Sequence, residues 1–512
     1  MKENRPLGFE EFVRLARKAN VIPVYKEVRA DLDTPVSVFL KIKKTDYSFL
    51  LESVEGQENI ARYSFIGADP CLIFKSRGKN IEINYSPSAR RMGLCTGYKK
   101  FNILHFTTKD DPVEELKKIM ADFHPAVIKG LPRFCGGLVG CLSYDMVRFF
   151  EDVPDKNADE LKLPDSVFIL TDTVLAFDHV KHTIKIIANV ILPKAGHASL
   201  PLLKLKGLYA DALKKIEGIQ RQLRQPLRDE AGGNKKAFPR EKIRSNLTRN
   251  GFKDMVFRAK KYIRKGDIIQ VVLSQRFHLR IHQQPFEIYR NLRSLNPSPY
   301  MFFLKLGQVT LVGSSPEMLV RCEDGVAQTR PIAGTRHRGD TEKEDKRLEK
   351  ELLHDSKEKA EHIMLVDLGR NDLGRVCMPG KVKVGEFMAV ERYSHVMHIV
   401  SDISGEVNPG YDSYDVLRAC FPAGTVSGSP KIRAMEIIDE LENTRRSLYA
   451  GCVAYFSFSR NMDTCITIRT IVIKGNTAYV QAGAGIVADS MPEKEYQETV
   501  NKAKALLEAA GN

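Results

Sequence analysis

This 512-residue sequence predicts an α+β fold. Strand-like runs rich in β-branched and aromatic residues arrive in hairpin groups, separated by Gly, Pro and Asp signals. Helical runs fall between those groups instead of after every strand, which disfavours strict β-α alternation. No internal period of roughly 20 to 50 residues marks a solenoid or propeller. Hydrophobic residues at 43% and charged residues at 28% are ordinary for a globular chain long enough to bury a large core. No apolar run approaches the ~18 residues of a membrane helix, so no membrane role is expected. The N-terminal stretch MKENRPLGFEEFVRLARKANVIPVYKEV lacks the continuous apolar block of a secretory signal. Nine cysteines scattered from Cys71 to Cys465, with no C-x-x-C pair, read as reduced thiols, and the expected location is the cytoplasm.

A formal charge of +15 raises nucleic-acid binding as a function class. The excess is diffuse. The most basic stretches, KGLYADALKKIEGIQRQLRQPLRDE and GGNKKAFPREKIRSNLTRN, also carry acids and lack an aromatic-and-basic RNA motif. A nucleic-acid partner is therefore disfavoured, and a non-catalytic basic binding protein stands as the alternative outside enzymes.

Taken in order, residues 9 to 19 read as a short helix, and VSVFLKI, YSFLLESV, CLIFKS and NIEINY read as strands. SPSARRMGLCTGYKK, basic and bearing Gly and Ser, reads as a hairpin tip. In DPVEELKKIMADF, Asp111 stands where it caps a helix, with Pro112 in the first turn. FCGGLVGCLSYDMVRFF suggests a closely packed strand passing into a helix, and VFILTDTVLAFDHVKHTIKIIANVIL a long hairpin. A helix from about Leu202 to Leu223 leads into the polar segment Gln225 to Asn250, where we place a boundary between regions 1–235 and 236–512. The second region opens with the helix FKDMVFRAKKYIRKGD and the strand IIQVVLSQRFHL, whose alternation puts Gln270, Val272, Ser274 and Arg276 on one face. YMFFLKLG with VTLVGSSPEMLVRC forms a further hairpin, and YAGCVAYFSFS, TCITIRTIVIKG and AYVQAGAGIV precede a terminal helix.

Within ELLHDSKEKAEHIMLVDLGRNDLGR, Glu358 and Glu361 sit one helical turn apart and run along one face into Leu365 and Leu368. Charge leading into a core stripe is unusual placement. The spacing recurs at Glu495 and Glu498 in PEKEYQETVNKAKALL, with Pro492 at the helix start. Two such helices can cage a hard divalent cation. Spacing alone equally fits solvated Glu/Lys faces, because Lys357, Lys359, Lys494 and Lys502 are close by. GAGIVA, residues 483 to 488, matches a dinucleotide fingerprint only in its glycines, since the helix it needs is delayed to Pro492. GTVSGSPK lacks P-loop spacing, yet Thr425, Ser427, Ser429 and the helix starting near Pro430 offer donors to an anion.

PIAGTRHRG, ELLHDSKEKAEHIMLVDLGRNDLGRV, VERYSHVMHIVS, FPAGTVSGSPKIRAMEIIDELE, RRSLYAGCVAYF, IRT and AGAGIVADSMPEKEYQET occur in this order over nearly all of residues 245 to 512. Together they resemble the chorismate-utilising enzymes, and within that family the anthranilate-forming branch. The resemblance implies a large two-sheet α/β sandwich with mainly antiparallel strands, and helices packed on its outer faces. It also implies a catalytic domain at 236–512 that binds chorismate and interleaves in space with a regulatory and subunit-contact region at 1–235. A magnesium ion is implied as well, with Glu361 and Glu498 as direct ligands and Glu358 and Glu495 in support through water. Gly334, Thr335, Tyr449, Arg469, Gly483, Ala484, Gly485 and Lys502 resemble the substrate-binding residues. Arg469 is chemically apt for a carboxylate, although spacing alone would make it a structural partner of a neighbouring acid. Glu317 in SSPE resembles the general acid, which needs a raised pKa. His398 resembles the histidine of pyruvyl elimination, with His395 its rival in the same motif, and Thr425 the residue assisting that second step.

Two positions separate the branches. Relatives that add water carry a lysine base where this chain has Gln270, so ammonia is the expected nucleophile. Aminodeoxychorismate synthases, the enzyme alternative, commonly carry a reactive lysine where this chain has Ala333. No cysteine sits in a G-x-C-x-G-like setting, so a separate glutamine amidotransferase subunit is expected to supply the ammonia. LLES and NPSPYMFFL resemble elements that bind L-tryptophan as a feedback inhibitor, implicating Ser53, Pro299, Tyr300 and Met301.

Overall fold

Long apolar strands need cover on both faces, and this chain supplies it by stacking two large sheets. The computed structural model describes residues 7–42, 45–53, 62–87, 89, 103–193, 197–227, 241–393 and 396–511. Its strands form a twelve-stranded, an eleven-stranded and a three-stranded sheet, and the pairing of these strands is antiparallel throughout. Between the large sheets lies an apolar layer containing Phe49, Phe65, Phe134, Val139, Phe302, Leu304, Val453 and Tyr455. Helices Phe9–Ala16, Pro35–Ile42, Leu202–Leu223, Pro285–Leu295 and Pro492–Ala509 share a second apolar cluster with the outer face of the larger sheet. Pro112–Met120 and Ser413–Cys420 do the same for the other sheet. The α+β expectation and the two-sheet sandwich both hold.

Both halves of the chain contribute to each large sheet. Tyr47–Glu52 pairs with Tyr300–Leu306 in one, and Gly137–Leu142 with Cys452–Ser457 in the other. These ladders bring residues distant in sequence into one hydrogen-bonded layer. The three-stranded sheet, Ile332–His337, Val396–Val400 and Ala389–Arg392, forms a satellite with its own small core of Leu348, Leu352, Met397 and Ile399.

Local chemistry fixes the ends of the elements. Asp111 accepts from Val113 N at 2.7 Å and Glu114 N at 2.9 Å, with Pro112 in the first turn, as expected. Thr248 caps Arg249–Lys265, which ends at Gly266 with φ of 81°. VSVFLKI is a correction: it forms the helix Pro35–Ile42, not a strand. Thr34 and Ser37 exchange side-chain and backbone hydrogen bonds at 2.9 and 3.1 Å, Pro35 opens the first turn, and Val38, Phe39 and Ile42 bury one face. The long run from residue 167 is also corrected. It makes three strands, of which Ser166–Thr171 belongs to one large sheet while Thr173–Asp178 and Thr183–Ile191 pair in the other. After Gly137–Leu142 the chain makes a short 3-10 turn, Tyr144–Phe149. Most of the expected hairpin tip at 86–100 lies outside the described residues. No helix among the described residues is long and apolar enough to cross a membrane.

Phe302 is 1% exposed and lies against Gly313, where a Cβ would come within 2.0 Å of its ring. Phe302→Ala empties the centre of the sandwich and should cost about 3–5 kcal/mol of folding stability, read from urea unfolding. A loss under about 1 kcal/mol would mean that the two sheets are not packed as described.

Candidate active site

The helix Ser356–Gly374 is pinned at two points. Asp355, its cap, accepts from Lys357 N at 3.0 Å and Glu358 N at 3.2 Å, and also takes Arg336 at 2.9 Å. Two turns on, the fully buried His362 meets Ser401 Oγ through Nε2 at 2.6 Å. So anchored, the helix carries Glu358 and Glu361 into an open cavity of about 540 Å³. The terminal helix Pro492–Ala509 brings Glu495 and Glu498 to the same cavity. Gln270, Glu317, Gly334, Thr335, His398, Thr425, Tyr449, Arg469, Gly483, Gly485 and Lys502 line it too, so residues spread over the second half of the chain converge.

Ala484 does not join them. Strand alternation turns its methyl away, fully buried beside Val271, Leu273 and Ile486 in a separate core, so the expected side-chain contact is corrected to one its backbone alone can make. The glycines on either side matter for the opposite reason. A Cβ on Gly483 would lie 2.6 Å from the Tyr449 hydroxyl and one on Gly485 2.5 Å from Gln270 Nε2, so only glycine lets both side chains lie against this strand. His395 lies outside the described residues.

The cavity concentrates negative charge. Burial and then the neighbouring Glu361 raise the pKa of Glu358. Burial also raises that of Glu495, where the Ser490 hydroxyl pulls downward and the Glu498 charge adds to the rise. Two cations pair with these glutamates among the described residues: Arg336 Nη1 lies 3.5 Å from Glu358 and Lys502 Nζ 2.6 Å from Glu498. Gln270 Nε2 donates to Glu361 at 3.3 Å, leaving its own Oε1 buried without a partner. Among the described residues no three His, Cys, Asp or Glu side chains stand close enough to hold a metal by themselves. Magnesium does not require that, since it keeps several waters and takes one or two carboxylates plus anionic substrate groups. Four glutamates around an open cavity suit a cation held in this way.

Glu317 is the group whose chemistry is most altered. Burial pushes its carboxyl up to about 8, against weaker opposing effects of the Thr425 hydroxyl and the Lys502 charge. Thr425 Oγ1 is itself buried without a hydrogen-bond partner. Burial lowers the pKa of His398, so the ring is held neutral. Its Nδ1 lies 2.8 Å from the Gly334 carbonyl, an acceptor only, so Nδ1 carries the proton and Nε2 keeps a lone pair. Arg469 has φ of 48°, in the sparsely populated left-handed region where strain marks functional positions. Among the described residues its side chain makes no hydrogen bond or ion pair, and burial lowers its pKa against the attraction of the nearby Glu498 charge.

Ser53, Pro299, Tyr300 and Met301 come together around a second, smaller cavity, walled also by Glu52, Arg133, Arg321 and Asp463. Tyr300 donates to Asp463 at 3.0 Å, Arg293 holds Glu52 at 3.1 Å, and Ser53 Oγ is buried without a partner. One strand joins the two cavities. Ser314, in Val309–Ser315, bonds Asn296 and Ser298 just ahead of Pro299, while its N–H donates to the Arg469 carbonyl at 3.0 Å.

Sequence reasoning missed Gln481 and Lys357 in the main cavity, and the charged wall of the second. Gln481 was legible, because it precedes Gly483 and Gly485 at strand spacing. Lys357 was set aside as an ordinary solvated neighbour of Glu358. The profile of the chorismate binding enzyme family matches residues 69–508. The chain belongs to this family. It is 49% identical over 507 residues to the anthranilate synthase component 1 of Aquifex aeolicus, covering 99% of this chain and 98% of that one. The same protein of Acetivibrio thermocellus is 47% identical, over 98% and 97% of the two chains. The crystal structure of anthranilate synthase component I from Streptococcus pneumoniae superposes with a TM-score of 0.72 at 34% identity, over 94% of this chain and 99% of that one. The recognition drawn from the motifs thus holds at the level of the family, and the chain is a chorismate-utilising enzyme by descent.

A carboxyl raised from 4.5 to about 8 in the folded state has a definite linkage sign. Between those values the native protein holds a proton that the unfolded chain releases, so the stabilisation is complete below the lower value and disappears as pH rises through the upper. Difference infrared spectroscopy should find a protonated carboxyl at neutral pH that titrates near pH 8 and vanishes in Glu317→Gln. A wild-type spectrum with Glu317 fully ionised at neutral pH would contradict this environment.

Proposed function

We propose that this chain is the large subunit of an anthranilate synthase, converting chorismate and ammonia into anthranilate and pyruvate, the first step committed to tryptophan. The observation that carries the reading is the content of one cavity: an unpaired enclosed guanidinium at Arg469, a neutral buried carboxyl at Glu317 and four glutamates. The relatives' names and the family match support it.

Arg469 offers a bidentate fork to one carboxylate of chorismate. Tyr449, Lys502, Gly334 and Thr335, with Gly483 and Gly485 of the strand Thr477–Ile486, form the rest of the binding wall. Glu361 and Glu498 are the residues we read as direct ligands of a magnesium ion, with Glu358 and Glu495 holding its waters. Bound there, magnesium supplies positive charge that draws and polarises a substrate carboxylate. Glu317 gives its proton to the departing ring hydroxyl as the ammonia lone pair forms the new bond at C2, the double bond shifts, and water leaves. Gln270 has no basic group with which to ionise water, which favours ammonia. In the second step His398 Nε2 takes the ring proton from the amino intermediate as the pyruvyl C–O bond breaks, and the Thr425 hydroxyl assists release of pyruvate. Ala333 lines the same cavity. A lysine there would reach the substrate, and its absence disfavours an aminodeoxychorismate synthase.

A glutamine amidotransferase subunit is the proposed source of ammonia, and the cytoplasm the proposed location. L-tryptophan is the proposed inhibitor at the second cavity, lying against Pro299, Tyr300 and Met301 with the unpaired Ser53 hydroxyl available to its polar end. On this reading residues 1–235 regulate and contact the partner while 236–512 carry the chemistry.

Purified protein given chorismate, magnesium and an ammonium salt should produce fluorescent anthranilate. A non-fluorescent amino product would favour the alternative synthase, and unconsumed chorismate would refute both. Glu361→Gln and Glu498→Gln should each lower turnover about a hundredfold or more and weaken magnesium binding measured by calorimetry with chorismate present. Unchanged magnesium affinity would remove these residues from the metal site. In Ser53→Ala and Met301→Thr the tryptophan concentration for half-inhibition should rise about tenfold, the effect of one lost hydrogen bond or well-packed contact. A parent enzyme insensitive to tryptophan would rule out the inhibitor site.

A further inference from the structure

Glu442 and Arg446 lie outside the lining of the main cavity, yet Arg446 holds Val272, Val426 and Tyr449, which line it. Both are buried, at 6% and 2% exposure. Arg446 donates to Glu442 through Nε at 3.0 Å and Nη2 at 2.7 Å. Its remaining contacts go to backbone: Nη1 to the Val426 carbonyl at 2.7 Å and Nη2 to the Val272 carbonyl at 2.6 Å. Val426 follows Thr425, and Val272 lies two residues along the strand from Gln270. The guanidinium also sits over two rings, 5.0 Å from the centroid of Tyr144 and 5.5 Å from that of Tyr449. Glu442 Oε1 meanwhile accepts from both the amide and the hydroxyl of Ser274 at 2.8 Å, and that hydroxyl accepts from Gln481 Nε2 at 2.8 Å.

We infer that the Arg446–Glu442 pair is a positioning unit for catalysis, fixing Tyr449, the Thr425 loop and the Gln270 strand relative to one another. The inference rests on the proposed function, since it names what those three segments are positioned to do. A buried ion pair is a poor device for stability alone, because desolvation offsets most of the attraction and apolar residues of similar size often serve as well. Apolar residues cannot reach four separate segments with directed bonds. A planar guanidinium can, and an ammonium, with its compact charge, cannot serve a carboxylate and two carbonyls in one plane. The segment that follows needs such a tether. Ser447 and Ala450 adopt φ of 53° and 62°, unfavourable for residues with a Cβ, and the Ser447 amide is held from the first half of the chain by Asp145 at 3.0 Å. Tyr449 stands between those two positions, so small shifts in the tether move its ring against the strand at Gly483.

The decisive comparison uses full-length Arg446→Lys and the apolar double variant Arg446→Met with Glu442→Leu. Unfolding temperature, kcat, KM for chorismate, and the ratio of amino intermediate to anthranilate are measured for each. We expect both variants to unfold close to the parent temperature while kcat falls about tenfold to a hundredfold, the usual effect of misplacing reacting groups by about 1 Å. The intermediate should also accumulate, because Thr425 is displaced from the second step. A merely structural role would lower both steps together by the folded fraction and leave the product ratio untouched. That result, or variants with the parent's kcat, KM and product ratio, would overturn the inference. Should the double variant fail to fold, Arg446→Lys decides on the same criteria. A parent protein that leaves chorismate unconsumed overturns the proposed function and this inference together.

Discussion

Glu317, Glu358, Glu361, Glu495 and Glu498 reach one cavity, where the Glu361 charge works against ionisation of Glu358 and the Glu498 charge against that of Glu495. The structure meets this repulsion in several ways. Glu317 is buried, and its carboxyl, pushed up to about 8, favours the protonated form at neutral pH, which removes one charge. Arg336 and Lys502 each attend one glutamate, and Gln270 gives Glu361 a neutral donor. Lys357 and Arg469 line the same cavity and act on Glu495 and Glu498 through charge alone. On the proposed function, a divalent cation held by the glutamates and an anionic substrate held by Arg469 would complement this arrangement of charge.

Holding such groups demands rigid supports, and each comes from regular structure. Two helices carry the four glutamates, and two paired strands carry Gln270, Gly483 and Gly485. Glu317 lies in the short link between Val309–Ser315 of one large sheet and Met318–Glu323 of the other, so it is held at the point where the chain crosses between the sheets. The second cavity is lined from Tyr300–Leu306, which pairs with Val309–Ser315, and Ser314 bonds toward both sites. A ligand that repacks Asn296 to Met301 acts on an element that also holds Arg469 and precedes Glu317. Shared hydrogen bonds of this kind give a physical route for coupling without requiring that the cavities touch.

The paired glutamates were legible because helical spacing is a strong constraint: residues three apart on a helix share a face whatever the tertiary context. Motif order then identified residues such as His398 and Arg469, whose local sequence gives no hint of an enclosed site. Legibility ended where tertiary pairing decides. VSVFLKI has β-branched residues enough for a strand, yet the Thr34–Ser37 cap and burial of Phe39 made it a helix. The run from residue 167 is continuous in hydropathy, and nothing local reveals that Thr171 to Thr173 passes from one sheet to another. Ala484 failed for a simpler reason, since a family motif names three consecutive residues while strand geometry presents only alternate ones. Arg446 could not be anticipated at all. Its neighbours Val272, Val426 and Tyr144 are remote in sequence.

Gln270 connects the electrostatics to the choice of nucleophile. A lysine at this position would stand beside Glu361 and neutralise it, lowering the negative charge available to a cation while adding a base for water. The amide does neither. It donates to Glu361 without cancelling its charge, and that bond orients the group so that Oε1 is left as a buried, unpartnered acceptor. Ammonia brings three N–H donors and needs no deprotonation before attack, whereas water needs a base to become a competent nucleophile. On the proposed function, one substitution in charge therefore serves two ends. It preserves the carboxylate field that would hold the cation, and it leaves no basic side chain at position 270 to activate water.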